Sequence, residues 1–163
     1  MKRLILSTAA CLISMPISAA DDAGAKQDFA QKASMSNMFE IEAAKIEISK
    51  GRAVDAKQFA QDMLRDYGRA VAPLADAAKN DGVTVSQSLD VAHQQKLDAL
   101  RNSDAANLDQ AYLSTQVIAH QQAYEIFKAY SKEGPDGSLK NTAAKMLPDL
   151  HMHLTRVQGM ANK

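Results

Sequence analysis

The amino-acid sequence predicts an all-α fold, and three observations support this. Apolar residues recur at three- and four-residue steps over long stretches, which is the spacing of one helix face. Alternation with a period of two, the pattern of a half-buried strand, is scarce, and aromatic residues make up only 5% of the chain, without a tryptophan. Residues that stop or start helices interrupt the pattern at Gly51 and at residues 80–82, 102–104 and 134–137.

The first two helices are predicted from the apolar stripes on either side of Gly51. The first covers residues 28–50, and Gly51 ends it because glycine is the usual residue after a helix C-terminus. The second covers residues 55–79. Pro73 lies inside it and cannot donate a backbone hydrogen bond to the carbonyl of Arg69, which predicts a bend.

The second half of the chain predicts one short and two long helices. Residues 82–88 read as a loop and residues 89–100 as a short helix. The third long helix is expected to begin after Ser103, a good N-cap residue, and to end near Ser131. The fourth covers residues 138–160, and Pro148 is expected to kink it.

The lengths of the connections predict how these helices are arranged. Short connections make the first and second helices antiparallel, and likewise the third and fourth. Residues 82–102 form a long crossover between the two hairpins and carry the short extra helix. One long crossover between two helical hairpins defines a ferritin-like up-down four-helix bundle. The sequence therefore predicts that fold.

The first twenty residues read as a secretory signal peptide. Lys2 and Arg3 precede an apolar stretch over residues 4–15, which is too short to span a bilayer. Small residues follow, so we expect cleavage after Ala20, with Ala19 as the near alternative. A second alternative is a lipoprotein processed at Cys11. The main interpretation predicts one periplasmic domain over residues 21–163, and it is compatible with peripheral association with the outer membrane.

Composition excludes several classes of function for the mature chain. The chain has 19 basic and 19 acidic residues, and removal of Lys2 and Arg3 leaves a net charge of about −2 without a basic block, which argues against nucleic-acid binding. Loss of Cys11 leaves no thiol for disulfides, catalysis or zinc. No transmembrane stretch follows the signal. Neither a nucleophile elbow nor a phosphate-binding glycine loop is present, so the sequence favours a protein that is not an enzyme.

Two histidines stand one residue apart in the fourth long helix. Side chains two positions apart on a helix point about 200° apart, so His151 and His153 cannot both face the core. His153 follows Leu150 by one turn and lies at the edge of the inward stripe, whereas His151 points to solvent. The pair is therefore not predicted to be a chelating unit.

The remaining polar candidates lie on different helices. His120 stands within an apolar arc of the third long helix, and an antiparallel hairpin would allow it to approach His153 with an offset of about 7 Å along the axis. Glu40 and Asp66 flank the stripes of the first hairpin. A carboxylate-bridged di-iron site needs Glu-x-x-His motifs, which neither histidine has. Two interpretations stay open: a single transition-metal site from His120, His153, Asp66 and Glu40, or half-buried histidines bonded to their neighbours.

Three helical segments carry motifs of one bacterial family. They read FA-x-x-M-x-x-D over residues 59–66, Y-L-x-x-Q-V-x-x-H over residues 112–120, and LP-x-L-x-x-H-L over residues 147–154. In these motifs the chain resembles domain of unknown function family 4142, over about residues 29–157. The resemblance implies a small, secreted, ferritin-like protein and selects His153 rather than His151. Where the family has a histidine after the aspartate, this chain has Tyr67, whose hydroxyl is a poor substitute for imidazole at neutral pH.

These observations predict a secreted envelope protein that acts by binding, without catalysis. The first hypothesis is surface contact with another envelope protein, in a role such as stress tolerance. The alternative is binding of copper, iron or zinc by His120 and His153 with Asp66 or Glu40. No cofactor is required by either hypothesis, and the sequence names neither the partner nor the oligomeric state.

Overall fold

The computed structural model describes residues 19–162, and this part of the chain consists of helices joined by turns and loops. They are α1 (Ala19–Lys50), α2 (Val54–Asn80), α3 (Val91–Asn102), α4 (Leu108–Glu133) and α5 (Ser138–Ala161). The all-α prediction is confirmed. Of the predicted signal peptide, residues 1–18 lie outside the described residues. No helix within the described range is long and apolar enough to cross a membrane.

Two helix starts differ from the sequence prediction. α1 already includes Ala19, the first described residue, nine residues before the predicted start. α4 begins at Leu108, and Ser103 is the C-cap of α3 instead of the predicted N-cap of α4. The reason lies in Asp104, whose carboxylate accepts hydrogen bonds from the backbone N–H groups of Ala106 and Asn107. This local turn competes with helix formation and delays the start of α4.

The four long helices pack side by side, and each has two main neighbours. α1 lies along α2 and α4, and α5 lies along α4 and α2, while α3 covers α1 and α4. α1 and α4 are antiparallel, because Phe29 near the start of α1 stacks on Tyr130 near the end of α4 at 3.8 Å. The three-residue connection makes α2 antiparallel to α1 as well. Consequently α2 and α4 run in the same direction, and residues 81–107 pass back along the length of the protein.

The interior is mostly apolar, and its buried polar residues lie on α1, α4 and α5. The predicted inward stripe of α2 is largely confirmed, since Phe59, Met63 and Leu74 are fully buried. On α1 the stripe predicted from the apolar spacing is confirmed at four of its six positions, namely Phe29, Ala33, Asn37 and Ala44, whereas Ile41 and Ile48 are only partly buried. Glu40 and Glu47, next to these two isoleucines, are fully buried, so the spacing located the face but not the polar residues at its centre.

Asp81 joins two helix ends at one end of the protein. It is the C-cap of α2, and its carboxylate accepts hydrogen bonds from the backbone N–H groups of Ser138 and Leu139, both at 2.8 Å. These groups belong to the first turn of α5, where no helix carbonyl can satisfy them. A Cβ atom at Gly137 would stand 2.5 Å from both carboxylate oxygens, so glycine permits the approach.

Asp109 has the same role at the opposite end. Its carboxylate accepts hydrogen bonds from the backbone N–H groups of Arg52 and Ala53, at 2.8 and 3.1 Å, just before α2 begins. Here a second acid is present, because the buried Glu47 carboxyl lies against Asp109. Burial, and then the hydrogen bond with Asp109, raise the pKa of Glu47 to about 8. Glu47 therefore keeps its proton at pH 7, although neither of its carboxyl oxygens forms a hydrogen bond of good geometry among the described residues.

Candidate functional site

His120 lies in the middle of α4 and is fully buried. Its Nδ1 is 2.9 Å from the backbone carbonyl oxygen of Gln116, one turn earlier. A carbonyl can only accept, so Nδ1 carries the hydrogen and donates it. In the neutral ring Nε2 is then an acceptor, and this buried atom has no hydrogen-bond partner among the described residues.

His153 presents the opposite ring nitrogen. Its Nε2 is 3.2 Å from Oδ2 of Asp66 on α2, and Arg65 holds the same carboxylate through Nε at 3.0 Å. Because the carboxylate accepts, Nε2 carries the hydrogen and Nδ1 is left as the acceptor in the neutral ring. That Nδ1 is buried and has no partner within the described chain. The expectation that His153 faces inward and His151 faces solvent is confirmed.

The two imidazoles meet across the interface of α4 and α5. Their ring centroids are 5.7 Å apart and their planes are nearly perpendicular, at 89°. Tyr67 lies against both rings, with centroids at 5.8 Å from His120 and 5.9 Å from His153. The approach that the sequence allowed is therefore present. We call His120, His153, Tyr67, Asp66 and Glu40 the histidine centre.

Both imidazoles are neutral at pH 7. Burial lowers the pKa of His120 to about 4, and the hydrogen bond to the Gln116 carbonyl only partly opposes this. Burial also lowers the pKa of His153, and the proximity of His120 lowers it further, while Asp66 opposes both effects. Neutral imidazole is the form of histidine that binds metal ions.

Glu40 brings a buried acid to the other side of His120. Its Oε1 is 3.8 Å from Nδ1 of His120, the nitrogen that Gln116 already engages. Burial raises the pKa of Glu40 to about 8, although the side chains of Gln116, His93 and Lys96 oppose the shift. The contact with His120 at pH 7 is therefore between a neutral acid and a neutral ring, which is not an ion pair. Neither carboxyl oxygen has a hydrogen bond of good geometry in the described chain.

Sequence reasoning missed several polar groups near the histidine centre. Gln116 and Tyr112 are fully buried, and neither the side-chain amide nor the hydroxyl has a hydrogen-bond partner among residues 19–162. The spacing of Gln116 one turn before His120 was the available signal. For Glu47, the signal was its seven-residue distance from Glu40, which places both acids on one face of α1.

Two imidazole nitrogens are the strongest ligands that this arrangement offers. Metal–nitrogen bonds of about 2.0–2.1 Å place the centroids of two ligating rings roughly 5–6 Å apart, and the 5.7 Å observed lies within that range. Across the described residues, no group of three or more His, Cys, Asp or Glu side chains is arranged to hold a metal ion. Asp66 contacts the hydrogen-bearing nitrogen of His153, which is how carboxylates orient histidine ligands in metal sites.

Fold and site together define a class: a helical protein with a pair of neutral histidines buried between its helices. The chain belongs to the family described as Domain of unknown function (DUF4142), whose sequence model matches residues 14–160. The resemblance found in the three helical motifs is thereby confirmed. No curated protein and no solved structure was found to match the chain.

Proposed function

We propose that this protein binds a transition-metal ion through Nε2 of His120 and Nδ1 of His153. One observation carries the proposal: both nitrogens are buried acceptors without a partner among the described residues, while the other nitrogen of each ring is hydrogen-bonded. A buried polar atom without a partner is costly, and natural proteins keep few of them. Imidazole ligands suit copper, zinc and iron.

The neighbours of the two rings support the same proposal. The Gln116 carbonyl and the Asp66 carboxylate each accept a ring N–H, which fixes the tautomer that leaves the other nitrogen available. Asp66 is therefore a positioning residue in this proposal. Glu40 lies near Nδ1 of His120, the nitrogen away from the ion, and would balance the ion's charge only by losing the proton that it holds at pH 7. The ion's remaining ligands would come from solvent or from the Tyr67 side.

We further propose a compartment and a fold for this activity. The charged start, short apolar stretch and small residues up to Ala20 are typical of a signal peptide, which favours a single periplasmic domain over residues 21–163. The neighbour relations of α1, α2, α4 and α5, with a long connection between α2 and α4, favour a ferritin-like four-helix bundle. In this compartment the protein acts by binding an ion rather than by catalysis.

The test is a metal titration of the untagged protein, followed by competition with a chelating dye for copper(II), zinc(II) and iron(II). We expect one ion per chain and a rise in unfolding free energy of about 2.7 kcal/mol at a hundredfold excess over Kd. His120→Ala and His153→Ala should each abolish binding, and Asp66→Asn should weaken it by about 10–100-fold.

His151→Ala is the matched control, because His151 is an exposed histidine on the same helix as His153. It should bind the ion like the wild type. Binding that survives His120→Ala together with His153→Ala would refute the proposal, and so would the absence of any stabilisation by all three ions.

A further inference from the structure

A groove runs between α2 and α5 on the side of the histidine centre that faces solvent. It has a volume of about 370 Å³, which lies within the roughly 300–1,000 Å³ typical of small-molecule sites. We call it the α2–α5 groove. Its inner end is formed by Asp66, Tyr67 and His153, so the groove reaches the centre from outside.

The floor of the groove is apolar, and the helix sequences explain why it is open. Ala70, Pro73, Met146 and Leu150 line it. Alanine and proline are short, so α2 presents a low surface to α5 at this level. Pro73 also cannot donate a backbone hydrogen bond to the carbonyl of Arg69. The floor thus suits a small apolar body.

The rim carries a cation on each wall. Arg69 belongs to α2 and Lys145 to α5, and within residues 19–162 neither forms an ion pair. Of the two carboxylates in the groove, Asp66 is already engaged by Arg65 and His153. Asp149 is the other, so two free cations face one free carboxylate. The charge left over is about +1.

We propose that the α2–α5 groove binds a small amphipathic monoanion, with its apolar body on the floor and its acid group between Arg69 and Lys145. The argument rests on charge complementarity above an apolar floor of suitable size. The groove adjoins the proposed metal site, because His153 and Asp66 line it, but it does not include His120. The ligand class is a free organic acid with a short alkyl or aryl body.

Three probes with the same chain and different head groups test the proposal: octanoate, 1-octanol and octylammonium. Each is titrated into chelator-treated protein and followed by backbone amide shifts. Octanoate should bind about tenfold more tightly than octanol, which corresponds to about 1.4 kcal/mol, and octylammonium should bind most weakly. The shifts should fall on residues 66–73 and 142–153. Equal affinities, preference for octylammonium, or shifts centred elsewhere would each overturn the proposal.

A charge-matched pair of double variants locates the acid group. Arg69→Gln with Lys145→Gln should weaken octanoate binding about tenfold and leave octanol within about twofold. Lys128→Gln with Lys132→Gln removes the same charge from exposed positions on α4 and should change neither affinity. Octanoate binding that is equal in both double variants would refute the assignment of Arg69 and Lys145.

His120→Ala separates this proposal from the metal site. The variant should lose the metal ion and still bind octanoate, since His120 lies outside the groove. A further arm uses vesicles of phosphatidylglycerol. If the wild type sediments with these vesicles, shows no shifts with octanoate, and loses sedimentation in the Arg69 and Lys145 double variant, the free-acid proposal is wrong.

Discussion

The aspartates at the ends of the helices and the histidines in their middle differ in how completely their polar atoms are paired. At the ends, Asp81 and Asp109 each accept two backbone N–H groups from the start of a neighbouring helix. In the middle, one nitrogen of His120, one nitrogen of His153 and both oxygens of Glu40 have no partner among the described residues. The paired carboxylates stabilise the fold, whereas the polar atoms without a partner reduce stability unless a ligand binds to them.

The comparison of the two acids on α1 sharpens this contrast. The pKa values of Glu40 and Glu47 are both raised to about 8, and burial is the largest cause for each. The Glu47 carboxyl lies against Asp109, whose carboxylate already accepts two backbone N–H groups. Glu40 faces a histidine whose near nitrogen is already a donor. Neither acid forms a hydrogen bond of good geometry in the described chain, so the two differ in their neighbour, which is an aspartate for Glu47 and a histidine for Glu40.

The largest loss of stability is expected at the end of the protein where Asp81 joins α2 to α5. Asp81→Ala leaves the N–H groups of Ser138 and Leu139 without an acceptor, and the free energy of unfolding should fall by about 2–4 kcal/mol. Urea denaturation at pH 7 measures it. Asp76→Ala, an exposed aspartate on the same helix, is the control and should change stability by less than about 0.5 kcal/mol. Equal losses in the two variants would contradict the role assigned to Asp81.

The second effect is a loss of stability as the pH rises from 6.5 to 8. A glutamate with a folded pKa of about 8 and an unfolded value of 4.5 holds a proton that the unfolded chain has released. The unfolded state then binds fewer protons, so stability falls by up to about 1.4 kcal/mol per pH unit for each such group. Below pH 6.5 the lowered pKa of His120 acts with the opposite sign, because the unfolded chain binds a proton that the folded histidine does not, and this loss of stability offsets the gain.

Glutamine variants test which acids cause this slope. Glu40→Gln and Glu47→Gln each remove one titrating proton, so each should reduce the decline between pH 6.5 and 8 by about half. Denaturation midpoints measured across that range provide the readout. Glu125→Gln, on an exposed face of α4, is the control and should leave the slope as it is. A full slope in the Glu40→Gln variant would show that Glu40 ionises as readily in the fold as in the unfolded chain.

The sequence predicted the class of fold and much of the site, for identifiable reasons. Helical phase alone separated His153 from His151, because the 100° step does not depend on neighbours. Strong apolar residues on α2 located its inward face. The apolar residues of α1 located most of its inward face, but Glu40 was predicted to flank a stripe to which it is central. The pairing of Asp66 with His153 joins residues 87 positions apart, and no local pattern encodes such a contact.

The helix caps were also outside the reach of sequence patterns. Serine is favoured at N-caps, yet Ser103 is not one here. The carboxylate of Asp104 accepts hydrogen bonds from the N–H groups of Ala106 and Asn107 and forms a turn instead. The caps of α2 and α5 come from Asp109 and Asp81, which are distant along the chain. Capping rules describe residues adjacent to a helix in the sequence. They therefore do not predict acceptors that a neighbouring helix supplies.

The smallest change in stability is expected at a glycine beside the histidine centre. Gly68 lies inside α2 directly after Tyr67, and a Cβ atom there would meet nothing within 4 Å. Glycine in a helix interior costs roughly 0.5–1 kcal/mol relative to alanine. Gly68→Ala should therefore raise the unfolding free energy by about that amount and leave metal affinity unchanged.

Gly51→Ala provides the contrasting variant at the end of α1. A Cβ atom at Gly51 would overlap the Glu47 carboxyl group and stand 2.7 Å from the Glu47 backbone carbonyl oxygen. The substitution should lower stability, since the carboxyl would have to leave Asp109. If Gly68→Ala instead weakened metal binding, α2 would need the freedom of glycine to position Tyr67 and Asp66. The histidine centre would then depend on backbone flexibility, whereas the helix ends held by Asp81 and Asp109 do not.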